Sequence, residues 1–202
     1  MSCPAEVCEA ASLIEKISTP RRGGLKSYKP GHVVILLKLL RAQGPLGRPR
    51  LTRLLSLGEA SIKTLLSELE KTGLVERNGR GHILTGKGEN ILSALEDTIS
   101  IEEVEIPIFD TRSLRLVIAC VEPPRNLTQV YLLRDYLVAA GCTRSVIGGY
   151  IDGEIRYPGV PEDIVVLLKS TSVNRGVNIY APLECQIPLI DSAINLILRL
   201  CS

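Results

Sequence analysis

The 202-residue sequence has no Trp and a single Phe, so aromatic residues make up only 3% of it. Apolar residues nevertheless reach 45%, and any core must therefore be built mainly from Leu, Ile and Val. No apolar run has the roughly 20 residues that a membrane-spanning helix requires, since Lys38 and Arg199 interrupt the best candidates. The first residues lack the basic region and apolar core of a signal peptide. We therefore expect a soluble, cytoplasmic protein without a membrane partner.

The six cysteines lack the paired spacings that mark a zinc site. Four residues separate Cys3 from Cys8, and no matching pair or His cluster follows downstream. Cys120 lies in the apolar run RLVIAC, where it is expected to act as a small core residue. We predict no metal or other cofactor. Disulfides are possible but not indicated, because the expected compartment is reducing.

Residues 111–202 contain no His and a single Lys, Lys169. A Ser-His-Asp or Cys-His arrangement therefore cannot be assembled within that part of the chain. Asp152 beside Gly153 is typical of a turn. Cys142 is expected to follow the end of a helix, where no positive dipole lowers the pKa of a thiol. We therefore predict that the protein is not an enzyme.

The stretch GHILTGKG, residues 81–88, resembles a phosphate-binding P-loop but is one residue short of it. A P-loop needs Ser or Thr after its lysine to bind magnesium, and Gly88 occupies that position. A P-loop also follows a buried strand, whereas the residues before Gly81 are polar and turn-like. The nucleotide site is rejected, and the glycines are assigned to a hairpin tip and a strand–helix junction.

Charge is unevenly distributed along the chain, although the net charge is only +2. Residues 20–90 contain fourteen Lys or Arg and five Asp or Glu, a balance of +9. Residues 91–110 contain six acids and no base. One contiguous basic segment is the electrostatic feature expected of a protein that binds nucleic acid.

Apolar periodicity predicts several helices in the first half of the chain. The helix predicted over residues 59–73 has an apolar stripe at i, i+3, i+4 and i+7, and Gly73 is placed to end it. Asn78-Gly79 favours a type I′ turn between two short strands. The predicted elements are a helix over 5–18, a flexible basic arm over 19–31, helices over 32–43, 48–58 and 59–73, strands LVER and HILT, and a helix over 86–100.

This order of elements, with the motif LLSELEKTGLVERNGRGHILTGKGENIL, resembles the winged helix-turn-helix transcriptional regulators over residues 30–100. The whole chain is also similar to archaeal winged-helix proteins whose C-terminal domain has no assigned function. The resemblance implies duplex DNA binding, with the third helix in the major groove and the hairpin as a short wing.

The resemblance and the basic segment together predict a set of DNA contacts on the second helix, the third helix and the hairpin. These contacts are Arg48, Arg50, Arg53, Ser61, Lys63, Thr64, Ser67, Arg77, Arg80, His82 and Lys87. Cations of the preceding arm are expected to follow the backbone or to enter a minor groove: Arg21, Arg22, Lys26 and Lys29. Each of these side chains is also compatible with an ordinary solvated surface.

The second half is predicted to be a small α/β domain over residues 114–202, with a mixed sheet of four or five strands, joined to the first by an acidic linker over 101–113. The predicted strands are LRLVIACV, the hairpin TRSVIGGYIDGEIRY around Asp152-Gly153, DIVVLLK and GVNIYA, and the predicted helices are LTQVYLLRDYLVAAG and PLIDSAINLILRL. Loop residues that could line a small-molecule pocket are Gly148, Gly149, Tyr150, Arg156 and Tyr157.

Taken together, the sequence predicts an α+β protein with an N-terminal helix and arm over 1–29, a winged helix-turn-helix domain over 30–100, and a C-terminal domain that senses a small-molecule effector or dimerises. The expected function is sequence-specific transcriptional regulation by a homodimer on duplex DNA. The helix over 86–99 and the C-terminal helix are the candidate dimer surfaces. Two alternatives stay open: a metabolic enzyme with an accessory winged helix, and a protein–protein adaptor that docks through it.

Overall fold

The computed structural model describes residues 3–20, 26–109 and 111–201. The chain divides into two compact units. We call residues 6–95 the helical unit, and residues 96–202 together with residues 1–5 the sheet unit. Over the described residues the protein is α+β, with eight α-helices and two antiparallel sheets. Across those same residues, no helix has both the length and the apolar character needed to span a bilayer.

The helical unit confirms most of the predicted elements to within a few residues. Its helices are α1 Ala5–Ser18, α2 Pro30–Gln43, α3 Arg48–Leu55, α4 Glu59–Lys71 and α5 Gly86–Glu96, and its strands are β1 Val75–Asn78 and β2 Gly81–Leu84. The final helix ends four residues earlier than predicted, because residues 99–104 join a strand.

The apolar stripe of α4 is buried as its spacing predicts. Ile62, Leu65 and Leu69 are completely buried, and Leu66 is 2% exposed. Because these residues recur every three or four positions, they share one face of the helix. Gly73 follows the helix with φ +73°, the left-handed conformation expected at a helix end.

The hairpin β1–β2 is antiparallel, and its register pairs Asn78 with Gly81. The two loop residues are therefore Gly79 and Arg80, and neither has the positive φ that a type I′ turn requires. The predicted turn type is wrong. The constrained glycine is Gly81, at which a Cβ would overlap the backbone of Leu46.

The sheet unit contains five strands in the order β3-β4-β7-β5-β6, and every neighbouring pair is antiparallel. Its elements are β3 Ile99–Val104, β4 Ser113–Ile118, α6 Leu127–Ala140, β5 Val146–Ile151, β6 Glu154–Arg156, α7 Glu162–Lys169, β7 Val177–Ala181, a 3₁₀ turn Leu183–Cys185 and α8 Gln186–Cys201. The predicted mixed sheet is therefore corrected to an antiparallel one. The hairpin around Asp152-Gly153 is confirmed, since both residues have positive φ between β5 and β6.

The segment DIVVLLK, predicted as a strand, forms helix α7. A short apolar run does not by itself distinguish a buried strand from a helix. Here Glu162 and Asp163 occupy the first turn of the helix, where negative charge interacts favourably with the helix dipole. Val165 and Leu168, three residues apart, are the buried side chains.

Strand β3 overlaps the start of the predicted acidic linker over residues 101–113. Glu102 pairs with Arg115 at 2.6 Å, and Glu103 pairs with Arg112 at 2.8 Å. These arginines belong to β4 and the residue preceding it, so the acids of an edge strand are matched by cations on its neighbour. Such cross-strand ion pairs support β structure in a segment whose composition suggests a linker.

Helices α6 and α8 pack against each other, and the hydroxyl of Ser192 donates to the carbonyl oxygen of Tyr136 at 3.2 Å. A cluster of apolar side chains in the sheet unit includes the buried residues of α7. Its buried members are Ile106, Tyr157, Val165, Leu168 and Tyr180.

Two disulfides lie within the sheet unit: Cys3–Cys120, with Cα atoms 5.1 Å apart, and Cys142–Cys185, with Cα atoms 5.4 Å apart. The sequence left disulfides possible without indicating them; the structure forms them, and Cys120 is not a free core thiol. Separations of 117 and 43 residues leave no spacing signal that sequence reasoning can use.

Candidate nucleic-acid interface

The hairpin of the helical unit is joined to the segment that precedes α3. The amide of Leu46 donates to the carbonyl oxygen of His82 at 3.0 Å, and the amide of His82 donates back at 2.9 Å. This antiparallel bridge also holds Gly81 against the backbone of Leu46 and Gly47. Arg48 lies two residues after Leu46, and Arg80 lies two residues before His82. Because Gly47 directly precedes α3 and Gly81 directly follows the turn, this backbone contact places the start of α3 next to the hairpin tip.

The cations of α3 are all exposed: Arg48, Arg50 and Arg53. Leu51 and Leu55 form the buried side of the helix. The guanidinium of Arg50 donates to Oε1 of Gln43 at 2.7 Å, which holds it near the end of α2.

The polar face of α4 divides into two pairs. Lys63 and Thr64 are exposed, whereas Ser61 and Ser67 are half-buried. The hydroxyl of Thr64 donates to the carbonyl oxygen of Ala60 at 3.0 Å, so its methyl and oxygen have a defined orientation. Lys63 and Thr64 are therefore the most accessible of the predicted α4 contacts.

The hairpin exposes Arg77 and Arg80. Oδ1 of Asn78 accepts the amide of Arg80 at 2.9 Å, which orders the short tip. Lys87, at the start of α5, is exposed, and its ammonium donates to the carbonyl oxygen of Thr72 at 2.9 Å.

His82 is 7% exposed and lies on the inner side of the hairpin. Its Nε2 is 3.3 Å from Oε1 of Glu70 on α4. The prediction that His82 faces DNA is therefore wrong, because β2 turns this side chain toward α4. Its role is to hold the hairpin on the helix.

The end of the arm is anchored. Tyr28 is 3% exposed, and burial, together with the charge of Glu68, raises its pKa to about 12. The ammonium of Lys26 donates to the carbonyl oxygen of Ile17 and lies 5.3 Å from the centre of the Tyr28 ring. Lys29 is exposed before α2. The predicted contacts Arg21 and Arg22 lie outside the described residues.

The residues predicted to line a pocket in the sheet unit are divided between its core and its surface. Gly148 and Gly149 are buried in β5, and the 4%-exposed Tyr157 packs against Gly148. Tyr150 and Arg156 are exposed, and Arg156 pairs with Glu154 at 3.3 Å. These five residues therefore form part of the core and part of an ordinary surface.

A groove of about 540 Å³ lies elsewhere in the sheet unit, between the loop after β4, one side of α6 and the end of α8. Its walls are mainly aliphatic, with Arg125 and Arg199 as the cations and Glu122 as the acid that line it. Sequence reasoning missed this groove, and the break at Pro123-Pro124 was its only local signal. Among the described residues, no group of three or more His, Cys, Asp or Glu side chains is arranged to hold a metal ion.

Comparison with known proteins supports the division of the chain. Residues 32–90 match the family described as "PH0730-like, N-terminal domain". The solved structure of the hypothetical protein PH0730 from Pyrococcus horikoshii OT3 is similar to this chain, with 26% sequence identity and a TM-score of 0.61. The similarity covers 86% of this chain and 93% of that chain, so it extends into both units. No curated protein matches the sequence.

Proposed function

We propose that the helical unit is a winged helix-turn-helix domain and that the protein is a sequence-specific, duplex DNA-binding transcriptional regulator. The observation that favours this most is the bridge between Leu46 and His82. It brings the basic start of α3 to the tip of the hairpin, as a domain that contacts the phosphates flanking one major groove requires.

The order of elements supports the same function. Helices α3 and α4 pack against each other, and α4 buries one apolar face while exposing Lys63 and Thr64 on the other. In the proposed complex α4 enters the major groove, where these side chains reach base edges or phosphates. Arg48 and Arg80 neutralise phosphates on either side, which releases condensed counterions and stabilises the complex.

The test is a titration of the full-length protein against duplex DNA enriched from a random pool, followed by fluorescence anisotropy at several salt concentrations. We expect log K to fall linearly with log salt, by about 0.9 per neutralised phosphate. The double variant R48A/R80A removes two of these contacts, so both the affinity and the slope should decrease. The matched control is R156A/R175A, which removes two exposed arginines of the sheet unit; it should leave both quantities unchanged.

Two outcomes would reject the proposal. The first is binding that is absent, or that does not respond to salt. The second is an equal loss of affinity in R48A/R80A and R156A/R175A, which would show that the DNA responds only to total charge.

The sheet unit would supply the regulatory part, either by binding a small-molecule effector or by dimerising. The groove between α6 and α8 supports an effector with an aliphatic body and an anionic group, because its walls combine leucines with two cations, Arg125 and Arg199, against one acid, Glu122. A thermal-shift series comparing aliphatic carboxylates with alcohols of equal length tests this. We expect stabilisation by the acids alone, and its loss in L132W, since Leu132 lines the groove and is 60% exposed.

A further inference from the structure

The tip of the β1–β2 hairpin carries the one Asn-Gly dipeptide of the sequence, Asn78-Gly79. Asparagine is a thermally labile residue type, because the backbone nitrogen of the next residue can attack its side-chain carbonyl carbon. Glycine obstructs this attack less than any other following residue, since it has no Cβ. Residues 76–80 are all exposed, so water also reaches the dipeptide.

The backbone nitrogen of Gly79 is available as a nucleophile. Its N–H donates to no acceptor among the described residues, and no atom lies within 4 Å of the position that a Cβ would take. The fixed point of the hairpin is Gly81, which packs against the backbone of Leu46. Gly79 can therefore move toward the Asn78 side chain without disturbing that contact.

The side chain of Asn78 is held in a form that favours the attack. Its Oδ1 accepts the amide of Arg80 at 2.9 Å. Attack on Cγ moves negative charge onto Oδ1, so a donor already aimed at this atom stabilises the intermediate. Arg77 and Arg80 are exposed, and neither has an ion-pair partner in the part of the chain that the structure describes. Their positive charge also favours loss of the proton from the Gly79 amide.

We propose that Asn78 is a site of spontaneous deamidation. The nitrogen of Gly79 gives its proton to a solvent base and forms a bond to Cγ of Asn78. The bond between Cγ and Nδ2 then breaks, and Nδ2 takes a proton from water and leaves as ammonia. Water adds to either carbonyl carbon of the resulting succinimide and opens the ring, which gives aspartate or isoaspartate. The net reaction consumes one water and releases one ammonia.

Both products place a carboxylate at the hairpin tip, directly after Arg77 and two residues before Arg80. Isoaspartate also lengthens the backbone at the position that pairs with Gly81. The consequence for binding rests on the proposed function: an anion at the tip opposes the contact of Arg80 with a phosphate. Ageing of the protein would then weaken its hold on duplex DNA.

The test is a time course of the full-length protein at mildly alkaline pH. Reduction of the sample and cleavage after glutamate release residues 77–89, in which Asn78 is the only asparagine. Mass spectrometry of this peptide measures the exchange of the amide NH₂ for OH. Asn174 is the internal control, because it is exposed and precedes Arg175. We expect Asn78 to convert faster than Asn174 by roughly tenfold or more, since glycine does not obstruct the attack.

A synthetic peptide of residues 77–89 separates the effect of the fold from that of the dipeptide. Conversion in the folded protein that is at least as fast as in the peptide supports the proposal. Slower conversion in the protein overturns it, because the fold would then protect Asn78. G79A has space for its methyl group and should convert more slowly than the wild type; an equal rate would exclude the Gly79 nitrogen as the nucleophile.

The effect on DNA binding is measured with fresh and aged protein. N78Q keeps an amide at the tip, but its longer side chain disfavours the ring closure, so ageing should leave this variant unchanged. In the aged wild type we expect weaker binding and a salt slope reduced by about 0.9, the value of one phosphate contact. Equal binding by fresh and fully converted protein would overturn the assigned consequence. Deamidation is measured by mass without DNA, so its failure is distinguishable from a failure to bind duplex.

Discussion

Tyr157 occupies the space in which a side chain at residue 148 would have to lie. A Cβ added to Gly148 would overlap the Tyr157 ring and the carbonyl oxygen of Arg156. G148A is therefore expected to lower the free energy of unfolding by about 1–3 kcal/mol, as overpacked cores do. Chemical denaturation followed by circular dichroism measures this. G79A is the control, since no atom lies near the added Cβ; equal stability of the two variants would contradict the packing assigned to Tyr157.

Packing explains why position 88, the last of the P-loop-like stretch, is a glycine: its surroundings leave no room for a side chain. A Cβ at this position would overlap the carbonyl oxygen of Leu74 and the side chain of Leu84. We expect G88A to destabilise the protein by about 1–3 kcal/mol. G86A, in the same helix and free of neighbouring atoms at its Cβ, should be neutral or slightly stabilising, because alanine reduces the entropy of the unfolded chain. Thermal melts of the two variants give the comparison, and a stable G88A would show that this packing is adaptable.

His32 makes the stability of α2 depend on pH. Its Nδ1 accepts the amide of Lys29 at 3.0 Å, at the start of the helix. Burial, and next the charge of Lys29, lower the pKa of His32 below its ordinary value of 6.5. The unfolded chain therefore binds the proton more tightly, and stability should fall as the pH drops from about 6.5 through the folded-state pKa.

The comparison of H32Q with the wild type isolates this contribution. Glutamine keeps an acceptor at the third helical position but does not titrate, so the loss of stability in this pH window should be smaller in H32Q. Denaturation midpoints measured between about pH 5 and 8, where an ordinary histidine titrates, give the difference. Parallel pH profiles for the two proteins would remove His32 as the cause.

The Cys142–Cys185 disulfide closes a loop of the sheet unit across 43 residues. Restricting the unfolded chain over a loop of this size stabilises a protein by about 2–4 kcal/mol. The variant C142S/C185S should melt at a lower temperature than the oxidised wild type. Reducing agent should lower the wild-type melting temperature and affect the variant less. If the variant had the same melting temperature as the oxidised wild type, packing alone would be sufficient to hold the loop.

Local patterns predicted most helices correctly. The α4 stripe and the cap at Gly73 involve residues within a few positions of one another, so their signal is contained in a short window. Local patterns wrongly predicted a strand for DIVVLLK, because its apolar run has no distinct period. They also did not predict β3, because its acids are stabilised by Arg112 and Arg115 on the adjoining segment. Local patterns also gave no indication of the disulfides, because nothing near Cys120 in the sequence points to Cys3 as its partner.

The amino-acid sequence by itself determined the helical stripes, the basic segment and the acidic run, since each depends on composition or on short-range spacing. Only the tertiary structure decided which of these features meet. Hydrogen bonds between Leu46 and His82 bring Arg48 beside the hairpin tip and turn His82 inward. Packing on α8 leaves one flank of α6 exposed. Both outcomes depend on contacts between residues far apart in the chain, which no local pattern specifies.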